Sequence, residues 1–147
     1  MTTAQLSLDH FLPYRLSVAS NAVSTRISQE YRKRFGLKIA EWRLIAILAE
    51  TAKMTPQMLG ETTRMDKISV SRAAAALIER GLVEANDNPH DGRSHILSLT
   101  RDGTALYREI APAALATEAV LLGSFTVEER RLFDGLLRRI EAAAQTT

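Results

Sequence analysis

The hydrophobic residues of the chain recur mostly at the three- and four-residue spacing of amphipathic helices. The first stripe predicts a helix from about Asp9 to Phe35. Pro13 moves its start towards Leu12, because proline is well tolerated only in the first turn, and Gly36 is a natural C-cap. The next segment, Ile39 to about Ala49, is apolar on nearly all sides and predicts a buried central helix.

Two short helices with clear start signals follow. Thr55 offers an N-cap hydroxyl before Pro56, which predicts a helix to about Thr62. After a four-residue connection, Asp66 caps a second short helix that runs to Arg80 and stops at Gly81. The apolar residues of the second helix share helical spacing and predict one buried face: Val70, Ala73, Ala74, Leu77 and Ile78.

The chain then changes to a strand pattern. Residues 82–85 and the alternating residues 95–99 predict two short strands. Residues 86–94 between them are rich in turn formers and contain Asp-Gly, so they predict the polar tip of a hairpin.

Helices return after the hairpin. Thr100 predicts the cap of a helix that ends at about Leu122, and Thr126 with Glu129 forms a capping box for a last amphipathic helix. The inner face of that last helix is predicted to carry Leu132, Phe133, Leu136, Leu137 and Ile140. The predicted fold class is therefore mainly α with a small β-hairpin.

Composition narrows the possible functions. The chain has 147 residues, 46% of them hydrophobic and 24% charged, without an internal repeat, which favours a single globular domain. With no cysteine, disulfides, thiolate metal sites and cysteine nucleophiles are excluded. The longest uncharged stretch, 16–25, is too short to span a membrane, and the N-terminus lacks a signal-peptide pattern. We expect a cytoplasmic protein that does not contact membranes.

The net charge of +2 permits a polyanionic partner without requiring one. Between Arg26 and Arg43 lie six basic and two acidic residues. This patch has two interpretations, a surface that contacts phosphates or an ordinary solvated helix end.

Two short helices joined by a tight turn and followed by a polar-tipped hairpin have the order of a winged helix-turn-helix. Its second short helix enters the DNA major groove, so the residues opposite the buried face become candidate readers. Arg72 can reach guanine or phosphate, Ile68 can touch a thymine methyl, and small hydroxyls allow close approach. The predicted DNA-binding residues are Thr55, Gln57, Lys67, Ile68, Ser69, Ser71, Arg72, Asp91 and Arg93.

The sequence also resembles a known family. TPQMLGETTRMDKISVSRAAAALIERGLVE (55–84), DGRSH (91–95) and LSLTRDG (97–103) are similar to the multiple-antibiotic-resistance regulator (MarR) family of bacterial transcription factors. Within 55–84, the run from Lys67 to Arg72 and the exit from Glu79 to Val83 carry much of the likeness. The chain departs from the family at Ala73–Ala76, so the resemblance implies no base contact beyond Arg72.

The resemblance implies an organisation and a mode of action. It places a winged helix-turn-helix head at about 38–100 and dimerisation helices at about 9–36 and 101–145, within one domain spanning 1–147. It also implies an obligate homodimer on a pseudo-palindromic operator in double-stranded DNA. We expect a repressor.

Relatives in this family bind small aromatic or acidic molecules between the dimerisation helices and the head. The resemblance therefore suggests a ligand that releases the protein from DNA. Arg15 is suited to receive a carboxylate or to pair across the dimer, and Trp42 is either a pocket wall or part of the core. The candidate ligand-binding residues are His10, Phe11, Tyr14, Arg15, Trp42, Met58 and Met65.

Other functions have weaker support in the sequence. His90 and His95 lie near Asp91, but a hairpin tip does not pre-orient metal ligands, so we predict no metal site and no cofactor. No phosphate loop, nucleophile elbow or zinc-protease motif occurs, and we expect no enzyme. The remaining alternative is a winged-helix protein-docking module without specific DNA binding.

Overall fold

The structure, a computed structural model, describes residues 4–146. The predicted fold class, mainly helical with one β-hairpin, is confirmed. None of the helices in the described residues is both long and apolar enough to cross a membrane. A 3₁₀ turn, Leu8–His10, precedes α1 (Leu12–Ser28), α2 (Arg32–Phe35), α3 (Ile39–Thr51), α4 (Pro56–Thr63), α5 (Lys67–Glu79), β1 (Val83–Asp87), β2 (His95–Leu99), α6 (Arg101–Leu121) and α7 (Val127–Gln145).

The chain forms two compact units, one ending at Ala114 and the other beginning at Leu115. The first unit contains all of the winged-helix segment predicted at about 38–100. The predicted single domain of 1–147 includes residues 1–3 and 147, which lie outside the described residues.

The first helix is shorter than its hydrophobic stripe predicts. The predicted start near Leu12 is confirmed, but α1 ends at Ser28 and residues 29–31 form a turn. The amide of Tyr31 donates to the carbonyl of Ser28 (3.2 Å), and the tyrosine is only 1% exposed. The predicted continuous helix from about Asp9 to Phe35 is therefore wrong, because the turn allows the Tyr31 ring to enter the core.

Two glycines end helices as their positions predict. Gly36 follows α2 and Gly81 follows α5, with φ of 65° and 73°. This left-handed conformation is the one that glycine adopts without a steric penalty at a helix end.

α3 is the central element of the core. Leu44, Ile45 and Leu48 are at most 2% exposed, which confirms the prediction of a buried helix. Glu41 is also buried, and its carboxylate accepts a hydrogen bond from the backbone amide of Lys38 (3.1 Å). This bond satisfies an unpaired donor at the helix start and gives the buried carboxylate a partner.

α5 buries one face, as predicted, with one exception. Ile78 is 41% exposed, so its assignment to the buried face is wrong. Each residue turns the helix by 100°, and Ile78 therefore lies on the flank when its neighbour Leu77 points directly inward. The buried residues of α5 are Val70, Ala73, Ala74 and Leu77.

The hairpin is longer than its sequence pattern predicts. The strands pair in antiparallel register from Val83 opposite Leu99 to Asp87 opposite His95. The predicted first strand, 82–85, is wrong at both ends. At its start, the amide of Leu82 donates to the carbonyl of Leu77 in α5, and at its end, residues 86 and 87 pair with β2. The loop between the strands is therefore 88–94.

One extra pairing fixes the wing to the head. Met54, just before α4, exchanges both backbone hydrogen bonds with Leu97 of β2, at 3.1 and 2.8 Å. Nothing in the local sequence pattern signals this bridge. It ties the base of the wing to the start of the helix-turn-helix.

The exit of α5 and the entry of α6 meet at one point. The hydroxyl of Thr100 donates to the carbonyl of Gly81 (2.6 Å) and accepts from the amide of Gly103 (3.1 Å). A β-carbon at Gly103 would collide with the carbonyl oxygen of Leu82, so only glycine fits there. The segments 79–83 and 99–103, which both belong to the family resemblance, therefore meet at this junction.

The second unit is a helix end, a turn and α7. The predicted capping box is confirmed, since Thr126 Oγ1 accepts from the Glu129 amide (3.0 Å) and the Glu129 carboxylate accepts from the Thr126 amide (2.9 Å). Arg130 donates to the carbonyl of Leu122 (3.1 Å), which holds the turn to the helix. The apolar stripe of α7 is exposed in the single chain: Leu132 63%, Phe133 46%, Leu136 45%, Leu137 36% and Ile140 52%.

Candidate nucleic-acid interface

α4 and α5 are joined by a tight connection at residues 64–66. Arg64 ends α4 in the left-handed conformation, with φ of 58°. Gly60 lies so close to the connection that an added β-carbon would stand 3.3 Å from the carbonyl oxygen of Met65. The small residue and the sharp turn together set the direction in which α5 leaves α4.

Asp66 fixes the start of α5. Its carboxylate accepts from the Ser69 amide (2.8 Å) and from the Ser69 hydroxyl (2.7 Å). These bonds hold the pKa of Asp66 below its ordinary value, with the backbone bond from Ser69 as the largest cause. Because the hydroxyl proton of Ser69 is used in the cap, this predicted DNA-binding residue positions the helix start and has no proton to donate to a phosphate.

The outer side of α5 carries the remaining predicted readers. Lys67, Ile68, Ser71 and Arg72 are exposed, and Ile68 is 63% exposed. The side chains of Lys67 and Arg72 have no hydrogen bond or ion pair within residues 4–146. The orientation predicted from the buried face of the helix is therefore confirmed, and two cations and one isoleucine project from its first half.

The two candidates on α4 are anchored within their own helix. Thr55 Oγ1 accepts from the Met58 amide (3.2 Å), which confirms the predicted N-cap. Gln57 is exposed, and its amide group donates to the Glu61 carboxylate (3.4 Å). The hydroxyl proton of Thr55 and the second amide hydrogen of Gln57 are available for an external acceptor.

The wing tip presents Arg93. Its backbone amide donates to the Asp91 carboxylate (2.9 Å), and its exposed guanidinium has no ion pair in the described part of the chain. Asn88 braces the tip by donating to the Ser94 hydroxyl (2.9 Å) and accepting from the His90 amide (3.0 Å). Asp91 therefore shapes the backbone that carries Arg93, and the arginine head is free to contact a partner.

A groove of about 820 Å³ lies between α4, α5 and the wing. Gln57 borders it from α4, Lys67 and Ser71 from α5, and His95 from β2. The structure thus brings predicted residues of both short helices to one surface beside the wing. Its floor is apolar and includes Val70 and Leu97.

The predicted ligand residues do not form one cluster. His10, Phe11, Tyr14 and Arg15 are exposed at the start of α1, where Arg15 lies 3.6 Å from the Asp9 carboxylate. Within the described residues, no hydrogen bond, ion pair or ring contact links these four to the other three. Met58 is 46% exposed on α4, and Met65 borders the groove beside α5. A shared pocket stays a prediction.

Trp42 is the middle ring of an aromatic stack. Its ring centroid lies 5.7 Å from that of Tyr31 and 6.0 Å from that of Tyr107, with 19° between the planes in each pair. Burial raises the pKa of Tyr31, partly offset by the charges of Arg43 and Arg32. The stack supports the interpretation of Trp42 as a core residue. The helical stripe had pointed to Tyr31, but no sequence signal pointed to Tyr107.

Metal ligands are not grouped in the structure. Among residues 4–146, no three histidines or carboxylates come together in a way that would hold an ion. The described surface of the head offers hydrogen-bond donors and cations for recognition.

Known proteins with similar sequences are transcriptional regulators. Residues 35–94 match the sequence profile of the MarR family. The HTH-type transcriptional regulator YxaD of Bacillus subtilis (strain 168) is 26% identical over 117 residues, which covers 80% of this chain and 82% of YxaD.

Solved structures of similar fold extend the likeness to nearly the whole chain. A MarR/EmrR family regulator from Acinetobacter sp. ADP1 has a TM-score of 0.87 at 25% identity and covers 97% of this chain and 100% of its own. Sco3205, a MarR family regulator from Streptomyces coelicolor solved in complex with DNA, has a TM-score of 0.86 at 20% identity, covering 99% of this chain and 94% of its own. Most of the winged-helix segment therefore matches the MarR family of transcriptional regulators, and nearly the whole chain shares the fold of a solved MarR/EmrR family regulator.

Proposed function

We propose that the protein is a sequence-specific DNA-binding repressor that acts as a homodimer and is released from DNA by a small aromatic or acidic ligand. One observation carries the DNA-binding part of this proposal. The exposed half of α5 projects Lys67, Ile68 and Arg72 with no competing intrachain partner, and the same groove that borders Lys67 is bounded by the wing. Such a helix and wing match a major-groove reader with a flanking arm.

Electrostatics supports the same function. Beside the single capping carboxylate of Asp66, the first half of α5 carries two cations, Lys67 and Arg72. Arg93 adds another from the wing tip. This local excess of positive charge suits a phosphate backbone although the whole chain has a net charge of only +2.

The homodimer is proposed from the exposed apolar stripes of the outer helices. On α1, Leu12, Leu16 and Val23 are 78%, 43% and 48% exposed. The α7 stripe, from Leu132 to Ile140, is at least 36% exposed at each of its five apolar residues. Contiguous apolar surface of this kind marks an interface, and a two-fold dimer matches a two-fold operator.

Ligand release is proposed from the family and from Arg15. NadR, a protein of the same fold, was solved with 4-hydroxyphenylacetate, and the DNA binding of Bordetella bronchiseptica BpsR is regulated by 6-hydroxynicotinic acid. In this chain Arg15 directly follows Tyr14 and comes one helical turn after Phe11, and the exposed contact of its guanidinium with Asp9 is easily exchanged. A carboxylate on an aromatic ring suits this combination.

The DNA-binding function is tested by selecting bound sequences from a random duplex pool and measuring affinity by fluorescence anisotropy at several salt concentrations. We expect enrichment of a pseudo-palindrome and an affinity that falls steeply with salt. Arg72→Ala should weaken binding to the enriched duplex, with Arg101→Ala on α6 as a matched exposed control. No enrichment, with equal binding of all duplexes, would favour the protein-docking module and overturn the proposal.

The ligand part needs its own test, carried out with 4-hydroxyphenylacetate and 6-hydroxynicotinic acid as probes. We expect at least one of them to lower DNA affinity, and Arg15→Ala to raise the concentration required without changing ligand-free DNA affinity. Loss of dimerisation in Arg15→Ala, or no response to a wider panel of aromatic acids, would contradict the predicted pocket.

The proposed function also implies a location. A regulator that binds bacterial DNA acts in the cytoplasm, where the DNA is.

A further inference from the structure

We infer that Ile68 and Arg72 read a thymine methyl and a guanine about two base pairs apart in each half of the operator. This inference rests on the proposed DNA binding and adds the chemistry that specifies the site. Ile68 is 63% exposed, and Arg72 follows it by one turn on the same side of α5. Ile68 is not part of the head's core, so most of its side chain is available for an apolar group on a partner.

The geometry of the helix sets the spacing of the two bases. Residues four apart lie on the same face of an α-helix and about 6 Å apart along its axis. Successive base pairs are about 3.4 Å apart along each strand. A helix that follows the major groove therefore presents Ile68 and Arg72 to positions about two base pairs apart.

Lys67 is also exposed on α5 and suits a phosphate, and the other neighbouring side chains offer little base readout. The hydroxyl of Ser69 donates to Asp66, and Ser71 borders the groove beside the wing. From 73 to 76 the helix carries only alanines, which have no hydrogen-bonding side chain. The second half of α5 consequently adds little base readout.

The chemistry of each side chain selects its base. The thymine methyl is the apolar group of the unmodified major groove, and an isoleucine placed against another base edge would remove water from polar atoms without replacing their hydrogen bonds. Arg72 has no intrachain ion pair within residues 4–146, and its planar guanidinium matches the O6 and N7 acceptors of guanine.

Base analogues test the inference on the duplex enriched in the selection described above. Each thymine is replaced in turn by deoxyuridine, which lacks only the methyl group, and each guanine by 7-deazaguanine, which lacks the N7 acceptor. We expect one thymine per half-site at which uracil lowers affinity about fourfold, the effect of burying one methyl-sized group. One guanine about two base pairs away should show a larger loss.

Variants assign each effect to its residue. Ile68→Ala should bind thymine and uracil duplexes equally, and Arg72→Ala should lose the sensitivity to 7-deazaguanine. Ile39→Ala is the matched control, because Ile39 is an exposed isoleucine at the start of α3, outside the groove between α4, α5 and the wing, and should leave both patterns unchanged. Since both targets are exposed, the variants should unfold at the wild-type temperature, which circular dichroism checks.

The outcomes separate this inference from the proposed function. A selection without any enriched sequence overturns both. An enriched palindrome with flat uracil and deazaguanine scans, or with scans that Ile68→Ala and Arg72→Ala do not alter, overturns only the base assignments. Sensitive positions four or more base pairs apart would contradict the helix spacing.

Discussion

The head and α7 carry hydrophobic stripes of similar clarity, but among the described residues the head buries its stripe whereas α7 leaves its stripe exposed. In the head, Leu77 of α5 and Leu44 of α3 are at most 1% exposed. On α7, Leu132 is 63% exposed although it belongs to an equally regular pattern. The difference teaches that periodicity identifies a face that must be covered, without saying whether the same chain covers it.

The largest loss of stability is expected from a substitution in the buried stripe of the head. Leu77→Ala should lower the free energy of unfolding by about 2–5 kcal/mol, because it removes a fully buried side chain and leaves a cavity. Its neighbour provides the control: Ile78→Ala, at a residue 41% exposed, should cost about 1 kcal/mol or less. Urea denaturation measures both, and equal losses would show that the stripe of α5 is not packed as described.

Substitutions in the exposed stripe of α7 should affect dimerisation and leave the stability of the head unchanged. Leu132→Lys combined with Leu136→Lys is expected to leave the head folded and to abolish the proposed dimer, because two charges cannot be buried in an apolar interface. DNA affinity should fall about a hundredfold, or about 2.7 kcal/mol, as one of two half-sites is lost.

Analytical ultracentrifugation and anisotropy check this prediction together. Glu128→Lys, a charge change in the first turn of the same helix and outside its apolar stripe, is the control and should remain dimeric. A double-lysine variant that stays dimeric would show that α7 is not the interface.

Within the head, the exposed Arg93 is expected to contribute to DNA binding and not to stability. Arg93→Ala should weaken operator binding by about 1–3 kcal/mol if the guanidinium enters the minor groove, and should leave the unfolding transition unchanged. Asp91→Ala should show part of that loss, because its carboxylate accepts the Arg93 amide and shapes the tip. Parent-like binding by both variants would show that the wing is dispensable for DNA recognition and would favour protein docking.

The smallest effect concerns the cap of α5. The folded-state pKa of Asp66 is depressed, so the cap contributes fully above the unfolded value of about 3.9 and is lost as the pH falls through the lower folded value. Asp66→Ala should therefore lower the unfolding midpoint slightly at pH 7 and remove this residue's share of the stability change below pH 4. Asp66→Asn, which keeps a capping acceptor without the titration, should retain most of the midpoint at pH 7. An unchanged acid profile in both variants would contradict the role of the cap.

Local chemistry explains why so much of the head was predictable. Thr55, Asp66 and Thr126 cap their helices as expected, and the second strand has its predicted bounds of 95–99. Each of these features depends on a side chain and backbone groups within a few residues, so a single sequence contains the whole interaction. The outward orientation of Lys67, Ile68 and Arg72 followed for the same reason, since one buried face defines the opposite one.

Features that depend on residues far apart in the chain required the structure. The break of α1 at 29–31 exists because Tyr31 stacks on Trp42, and the wing is tied down by the bridge from Met54 to Leu97. Ile78 is exposed because the core covers only part of the apolar side of α5. How much of that side is covered depends on the neighbouring elements, which the local sequence pattern does not show.

The sequence by itself therefore determined the helix starts, the order of the winged head and the residues that face outward. The tertiary structure decided where strands stop, which aromatic rings stack and why Gly103 must be glycine under the carbonyl of Leu82. The physical reason is one of range: caps and periodicity act over one or two helical turns, whereas packing and strand pairing are settled by whichever distant surfaces meet.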